Sequence, residues 1–375
     1  MSAHPGFDID RLLRQSVEAG ASDVHLVAGL PPTFRVNGAL GAVPDWPVLE
    51  DAALRATLPR LLTANQEERF ARDLELDLSY MLDGNLGFRV NLYQQRGGLG
   101  AAFRLIPTVI KSLPELGIPP AVRQFAGLPR GLVLVTGPTG SGKSTTMASV
   151  IDVANATRPD HIVLVEDPIE FLHRSRRCVV SQREIGTDTY SFSAALVHAL
   201  RQDPDIIVIG EMRDTETMGI ALRAAETGHL VFGTLHTQDA ASTINRVVDE
   251  FPGDRQAQVR NQLATTLQGV VSQTLCRRAD GTGRVIATEV LIPTPAVRAL
   301  VRDGRLHQLY SVMHSGAEQG MHTLDQSLAA LVRDGSITFE EGASRARQVD
   351  QFALLCGRSA HWNRGMPEPT SPTYA

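Results

Sequence analysis

Gly137-Pro138-Thr139-Gly140-Ser141-Gly142-Lys143-Ser144 is the stretch on which the fold turns. It satisfies the spacing G-x-x-x-x-G-K-[ST], follows an apolar run at 132–135, and opens a segment that reads as a helix from Thr145 onward. That order is what a phosphate loop requires. Glycines let backbone N–H groups converge on phosphate oxygens, and the helix start adds the positive end of its dipole. Lys143 is suited to neutralise the β and γ phosphates of ATP, and the Ser144 hydroxyl to hold Mg²⁺. The expected nucleotide-binding residues are therefore Gly137, Pro138, Thr139, Gly140, Ser141, Gly142, Lys143, Ser144 and Thr145.

Downstream of the loop, short apolar runs recur at 162–165, 206–209 and 230–235, separated by helical stretches. Continuous apolar strands of this kind imply a parallel sheet covered on both faces, hence an α/β core. From about Gln256 the pattern reads as mainly helical. Upstream, residues 107–129 contain Pro114, Gly117, Pro119 and Pro120, the composition of a linker. A boundary near residue 117 follows. Before it, Ile9, Leu12, Leu13 and Val17 share one helical face ending at Gly20. Strand-like segments then lie at 24–27, 33–36, 87–94 and 100–106, the last two joined around Arg96-Gly97-Gly98. The organisation expected is a small mixed α/β domain at 1–117, an α/β domain at 118–357, and a disordered, proline-containing tail at 358–375.

Composition bounds the rest. Hydrophobic residues at 43% and charged residues at 21% describe a folding, globular chain. With 36 basic and 41 acidic side chains the formal charge is −5, which supplies no general attraction for phosphate backbones or anionic lipid, so no nucleic-acid partner is expected. Cys178, Cys276 and Cys356 are too far apart for a C-x-x-C site and odd in number, which fits a reducing cytoplasm. The first 20 residues carry Asp8, Asp10 and Glu18 where a signal peptide needs an unbroken apolar core, and no stretch approaches ~18 consecutive apolar residues. Membrane association is expected only through partners.

Three further stretches carry chemistry. Ile206-Ile207-Val208-Ile209-Gly210-Glu211 delivers a carboxylate to the C-terminal end of an apolar strand, where open α/β sheets bind ligands. Glu211 is suited to act through metal-bound water or to polarise the attacking water. Val165-Glu166-Asp167-Pro168-Ile169-Glu170 again places acids beyond a strand, and three acids within five residues repel unless a metal or cation stabilises them. The third, residues 227–237, brackets an apolar strand with His229 and His236. Separated by ~23 Å on an extended strand, they cannot share a metal, but either could sense the γ-phosphate by hydrogen bonding, or fill the core.

Taken together, the loop and residues 165–171, 203–214 and 226–237 resemble, in order, the Walker A, Asp box, Walker B and His box of secretion ATPases, nearest to the retraction ATPases of type IV pili. The resemblance runs from Ala21-Ser22-Asp23-Val24-His25-Leu26 to about Gly357. It implies a PAS-like N-terminal domain, a RecA-like ATPase domain, and a homo-hexamer with ATP between subunits. It further implies work on an inner-membrane pilus platform protein from the cytoplasmic side. In such motors arginines of the N-terminal domain complete the nucleotide site; the matching positions are Arg89 and Arg104. The family roles make Glu170 the general base and Glu211 the Walker B acid and Mg²⁺ residue, with Glu166, His229 and His236 as further catalytic candidates.

The extension ATPases that resemble this core usually add an N-terminal domain and a four-cysteine zinc site, so their absence from the sequence favours retraction. Ala296-Val297-Arg298-Ala299-Leu300-Val301-Arg302-Asp303 resembles the retraction family's Ala-Ile-Arg-Asn-Leu-Ile-Arg-Glu segment, departing at 297, 299, 301 and 303. The basic run His173-Arg174-Ser175-Arg176-Arg177 suits an acidic partner, a neighbouring subunit or plain solvation. The alternatives in function are an accessory nucleotide-binding subunit and a DNA-translocating RecA-like ATPase.

Overall fold

The computed structural model describes residues 7–84, 86–107 and 109–358; the expected tail lies, from residue 359 on, outside the described residues. By internal contacts the chain forms two compact units, one made of residues 1–110, 159–204 and 208–210, the other of 111–158, 205–207 and 211–375. Strands in chain order are β1 (Asp23–Val27), β2 (Thr33–Val36), β3 (Ala39–Ala42), β4 (Glu75–Leu82), β5 (Leu86–Gln95), β6 (Gly98–Leu105), β7 (Gly131–Thr136), β8 (His161–Glu166), β9 (Val179–Glu184), β10 (Ile206–Ile209), β11 (Leu230–Leu235), β12 (Leu267–Arg277) and β13 (Arg284–Leu291). The α-helices are α1 (Ile9–Glu18), α2 (Asp51–Thr57), α3 (Ala64–Asp73), α4 (Pro120–Arg123), α5 (Lys143–Thr157), α6 (Phe192–Ala199), α7 (Thr215–Glu226), α8 (Ala240–Asp249), α9 (Gly253–Thr266), α10 (Pro295–Arg302), α11 (Leu309–Ser315), α12 (Leu324–Arg333), α13 (Phe339–Ala343) and α14 (Val349–Leu355).

In the first unit an antiparallel sheet runs in the order β3-β2-β1-β6-β5-β4. Its side chains alternate, as a half-buried sheet requires: Phe88, Val90 and Leu92 of β5 lie inward, and Phe88 meets Phe103 of β6 edge-on at 6.5 Å. Leu12 and Leu13 of α1 close this core, held in place by the Asp8 carboxylate, which accepts from the Arg11 amide at the helix start. The same unit contains the parallel pair β8 and β9, in register from His161 opposite Val179 to Glu166 opposite Glu184.

In the second unit β7 is the spine. It pairs in parallel with β11 on one side and with β12 on the other, and β12 pairs antiparallel with β13. All six residues of β7 and all six of β11 are buried, the signature of a sheet covered on both faces. The β12–β13 hairpin corrects the helical reading of the chain after Gln256. Its strands alternate only imperfectly, and the turn signal at Ala279-Asp280-Gly281 falls between polar residues, so periodicity alone did not expose them. The helices α12 to α14 pack on the outer face of the hairpin through Phe339 and Phe352, 5.2 Å apart, together with Cys276 and Ala287.

Glu289 of β13 holds the starts of two helices, α8 and α12. Its carboxylate accepts from the Ala240 amide at the start of α8 (2.9 Å) and the Leu324 amide at the start of α12 (3.5 Å). Two helix dipoles favour the anion there, but burial dominates and pushes its pKa up to about 7 from 4.5, with Asp325 adding repulsion. The folded state therefore binds more protons than the unfolded chain between these values, so the free energy of unfolding should decline as pH rises from about 4.5 to about 7. In E289Q we expect that component of the slope to vanish, measured by urea unfolding at several pH values; an unchanged slope would assign it elsewhere.

Candidate functional site

The phosphate loop joins β7 to α5 at the C-terminal edge of the parallel strands. Its backbone needs glycine for two reasons. Gly137 has φ 146°, and a Cβ there would lie 2.3 Å from the Gln273 carbonyl and 2.6 Å from Ser141 Oγ; Gly142, at φ 89°, caps the start of α5 in the left-handed region. Lys143 is buried and folds back over the loop, its Nζ donating to the carbonyls of Gly137 (2.9 Å) and Pro138 (3.1 Å). Gln273 of β12 braces the loop by donating to the Ser141 carbonyl at 2.8 Å. Ser141 Oγ and Gln273 Oε1 are both buried without a hydrogen-bond partner. A buried hydroxyl left open inside a glycine cradle at the start of a 15-residue helix is the donor set of an anion site.

Glu211, Arg213 and His236 gather at the neighbouring strand ends. His236 Nε2 lies 2.9 Å from Glu211 Oε1, and Arg213 Nη2 is 2.7 Å from Oε2. Burial raises the Glu211 pKa, but the Arg213 hydrogen bond and the His236 contact outweigh it, leaving the carboxyl below its ordinary value. It is thus an anion at neutral pH. The Met212 amide donates to the Thr234 carbonyl, fixing this acid to β11. His229 is placed elsewhere. Its carbonyl accepts from the Gly131 amide at the start of β7, and its ring Nδ1 meets the Ala224 carbonyl at 3.0 Å. With β7 and β11 parallel and six residues long, that is the opposite end of the strands from the loop, about 20 Å away. Of the two histidines only His236 joins the acid.

In the first unit, the Asp box follows β8 through a cis Asp167–Pro168 peptide. Glu166 ends the strand. Burial pushes its pKa up to about 7 although part of the residue stays accessible; Gln182 donates to it at 3.0 Å and opposes the shift, while Glu170 and Glu184 reinforce it by repulsion. Glu170 is half-exposed and faces Arg89 of β5 at 3.5 Å. Arg89 lies directly opposite Arg104 of β6 in the sheet register, Arg104 opposite Asp23, and Asp23 opposite Arg35. Side chains in such a row share one face. Asp23 holds Arg104 at 2.7 Å and Arg35 at 3.8 Å. Burial raises the Asp23 pKa, yet the Ser22 hydroxyl and Arg104 pull it below the ordinary carboxylate range. Asp23, Arg213, Gln182 and Glu184 escaped the reading of the sequence. Only the charge of Asp23 at the start of a mostly apolar strand could have flagged one of them.

Arg298 of α10 donates to the carbonyls of Ala264 (2.8 Å) and Thr265 (3.1 Å), closing the C-terminus of α9, while Arg302 is exposed. In the basic run, burial and then Arg176 bring the His173 pKa down to about 4. Among the described residues there is no group of three or more His, Cys, Asp or Glu side chains able to hold a metal, and no helix long and apolar enough to cross a membrane.

A glycine-lined anion loop after a buried parallel strand, with an ionised acid and a histidine at the adjacent strand ends, defines a P-loop ATPase. The chain belongs to the type II/IV secretion system protein family, whose model matches residues 7–290. It is 49% identical over 345 residues to the type IV pilus retraction ATPase PilT of Pseudomonas aeruginosa, covering 92% of this chain and 100% of that protein. It is 40% identical to the type IV pilus ATPase PilU of the same organism, covering 93% of this chain and 91% of the relative. Among solved structures, it is similar to the crystal structure of the pilus retraction motor PilT with bound ADP, at a TM-score of 0.85 and 43% identity over 92% of this chain and 98% of that one.

The loop geometry sets an expectation for Gly137→Ala. The new methyl group meets backbone at 2.3 Å, which no side-chain motion relieves. We expect nucleotide affinity to drop by at least about tenfold, the equivalent of ~1.4 kcal/mol, in a fluorescent-nucleotide titration, with the far-UV circular dichroism of the variant unchanged.

Proposed function

We propose that this protein is the ATP-hydrolysing motor of type IV pilus retraction, acting as a homo-hexamer at the cytoplasmic face of the inner membrane on a platform protein of the pilus base. The observation that carries the proposal is the end-to-end similarity to a retraction ATPase, in a chain whose anion loop and acids have the geometry described above. Neither a nucleic acid nor a lipid enters this reading. Attachment to the membrane runs through protein partners.

In this reading the loop amides of 137–145 and Lys143 bind the β and γ phosphates of ATP. The Lys143 ammonium presently rests on two neutral carbonyls of its own loop, which the anionic oxygens of a phosphate can replace with stronger, charge-assisted hydrogen bonds. Ser144, in the first turn of α5, and Glu211, kept ionised by Arg213 and His236, are the residues that would hold Mg²⁺. A site of one hydroxyl and one carboxylate suits this ion, which keeps waters and phosphate oxygens as its other ligands. When bound, Mg²⁺ would neutralise charge on the phosphates. Glu170 orients and deprotonates the attacking water, and His236 senses the terminal phosphate through the Glu211 contact. Arg89 and Arg104 offer guanidinium groups to the transition-state charge, so that hydrolysis is tied to the position of the sheet that carries them.

Lys143→Ala should abolish Mg-ATP turnover while the protein still melts cooperatively, and a kcat equal to that of the parent would refute the assignment of the loop. In cells, deletion of the gene should leave surplus surface pili because assembly continues without withdrawal; bald cells would instead assign the protein to extension. Tight nucleotide binding with no turnover by the purified protein would favour an accessory subunit.

A further inference from the structure

Glu170 sits in the stretch between β8 and β9, which has no regular structure of its own through residues 167–178. Its carboxylate is half-exposed, so its aim depends on the backbone at 169–171. That backbone is fixed on both sides by β9. On the near side, the buried Glu184 carboxylate accepts from the Ile169 amide at 3.1 Å. On the far side, Gln182 donates to the Phe171 carbonyl at 2.8 Å and accepts from the His173 amide at 2.8 Å. Residues two apart on a strand share a face, so β9 presents both side chains to the same loop.

Glu184 also reaches the antiparallel sheet. It accepts from the Ser79 amide of β4 at 3.0 Å, from the Ser79 hydroxyl and from the Thr187 hydroxyl at 3.2 Å. Ser79 lies opposite Arg89 in the β4–β5 register, and Arg89 faces Glu170 at 3.5 Å. The ties close on themselves: Glu170 to Arg89, across the strand pair to Ser79, through Glu184 to Ile169, and along one peptide back to Glu170.

We propose that Gln182 and Glu184 form a clamp that positions Glu170 to take the proton of the attacking water, fixing the base to the strands that bear Arg89. The inference rests on the reading of Glu170 as the general base. Neither clamp residue touches the reacting atoms; both act through the loop. Glu184 matters most because it is buried and its two oxygens satisfy the partly buried Ile169 and Ser79 amides, so loss of one oxygen leaves one of these amides unpaired and lets the loop shift. A displacement of about 1 Å at a catalytic group lowers turnover on the order of 10²-fold.

The test is a mutant cycle on the full-length protein, reading kcat, KM for Mg-ATP and thermal melting for E170Q, E184Q and the double variant. We expect E170Q to lose turnover, E184Q to lose about 10²-fold in kcat with KM unchanged, and the double variant to be no slower than E170Q alone, since a positioning residue has nothing to add once its object is gone. If E170Q loses turnover but E184Q keeps its kcat, changes only KM, or multiplies the loss in the double variant, the clamp is overturned and the base stands. If E170Q retains turnover, the base reading fails and the clamp with it. Should E184Q fail to melt cooperatively, Q182A, which frees the far side of the loop and leaves the Ser79 contacts in place, carries the same comparisons.

Discussion

The turn between β7 and α5 admits no Cβ at Gly137, because the Gln273 carbonyl occupies that space. This steric constraint shapes the second unit. It brings the loop amides and the start of a long helix to one edge of a buried parallel sheet, and it needs β12 beside β7 to supply the bracing glutamine. A loop so braced is already in the shape an anion requires, so little ordering opposes binding. Lys143 completes the arrangement by resting on carbonyls that bound phosphate would displace it from, so its N–H groups find acceptors with or without nucleotide.

The acids that follow the strands β8 and β10 are managed in two different ways. Glu211 is held ionised against burial by Arg213 and His236, which suits the cation-holding role proposed for it. Glu166 is allowed to keep its proton to about pH 7, so the close sequence of acids in the Asp box does not carry its full repulsion into the folded state. Glu170 faces a guanidinium on the antiparallel sheet. Each pattern follows from local neighbours alone.

Much of this was legible in the sequence because the informative residues signal through local pattern. The runs at 132–135 and 206–209 are apolar without interruption, the run at 230–235 is broken only by Gly233 and Thr234, and β7, β10 and β11 lie there. The phosphate loop was fixed by spacing. The hairpin of β12 and β13 was not, since its strands mix polar and apolar residues and Gln273 looks like any surface glutamine until β7 is placed beside it. The same reason hid Gln182 and Glu184: their significance lies in hydrogen bonds to Phe171 and to Ser79, the latter 105 residues away in sequence. Resemblance to a family distinguished Glu170 from Glu211 where chemistry alone left them equivalent. The strand reading already separated His229 from His236, and the parallel pairing of β7 and β11 puts them at opposite strand ends.

The account stands on nucleotide held by the loop. The most direct measurement is a crystal or cryo-electron-microscopy structure of the protein with Mg²⁺ and a non-hydrolysable ATP analogue. The terminal phosphates should lie against the amides of residues 137–145, with Lys143 turned from its own loop carbonyls to the phosphate oxygens. Nucleotide density anywhere else, or a loop unchanged beside solvent at saturating analogue, would contradict the claim.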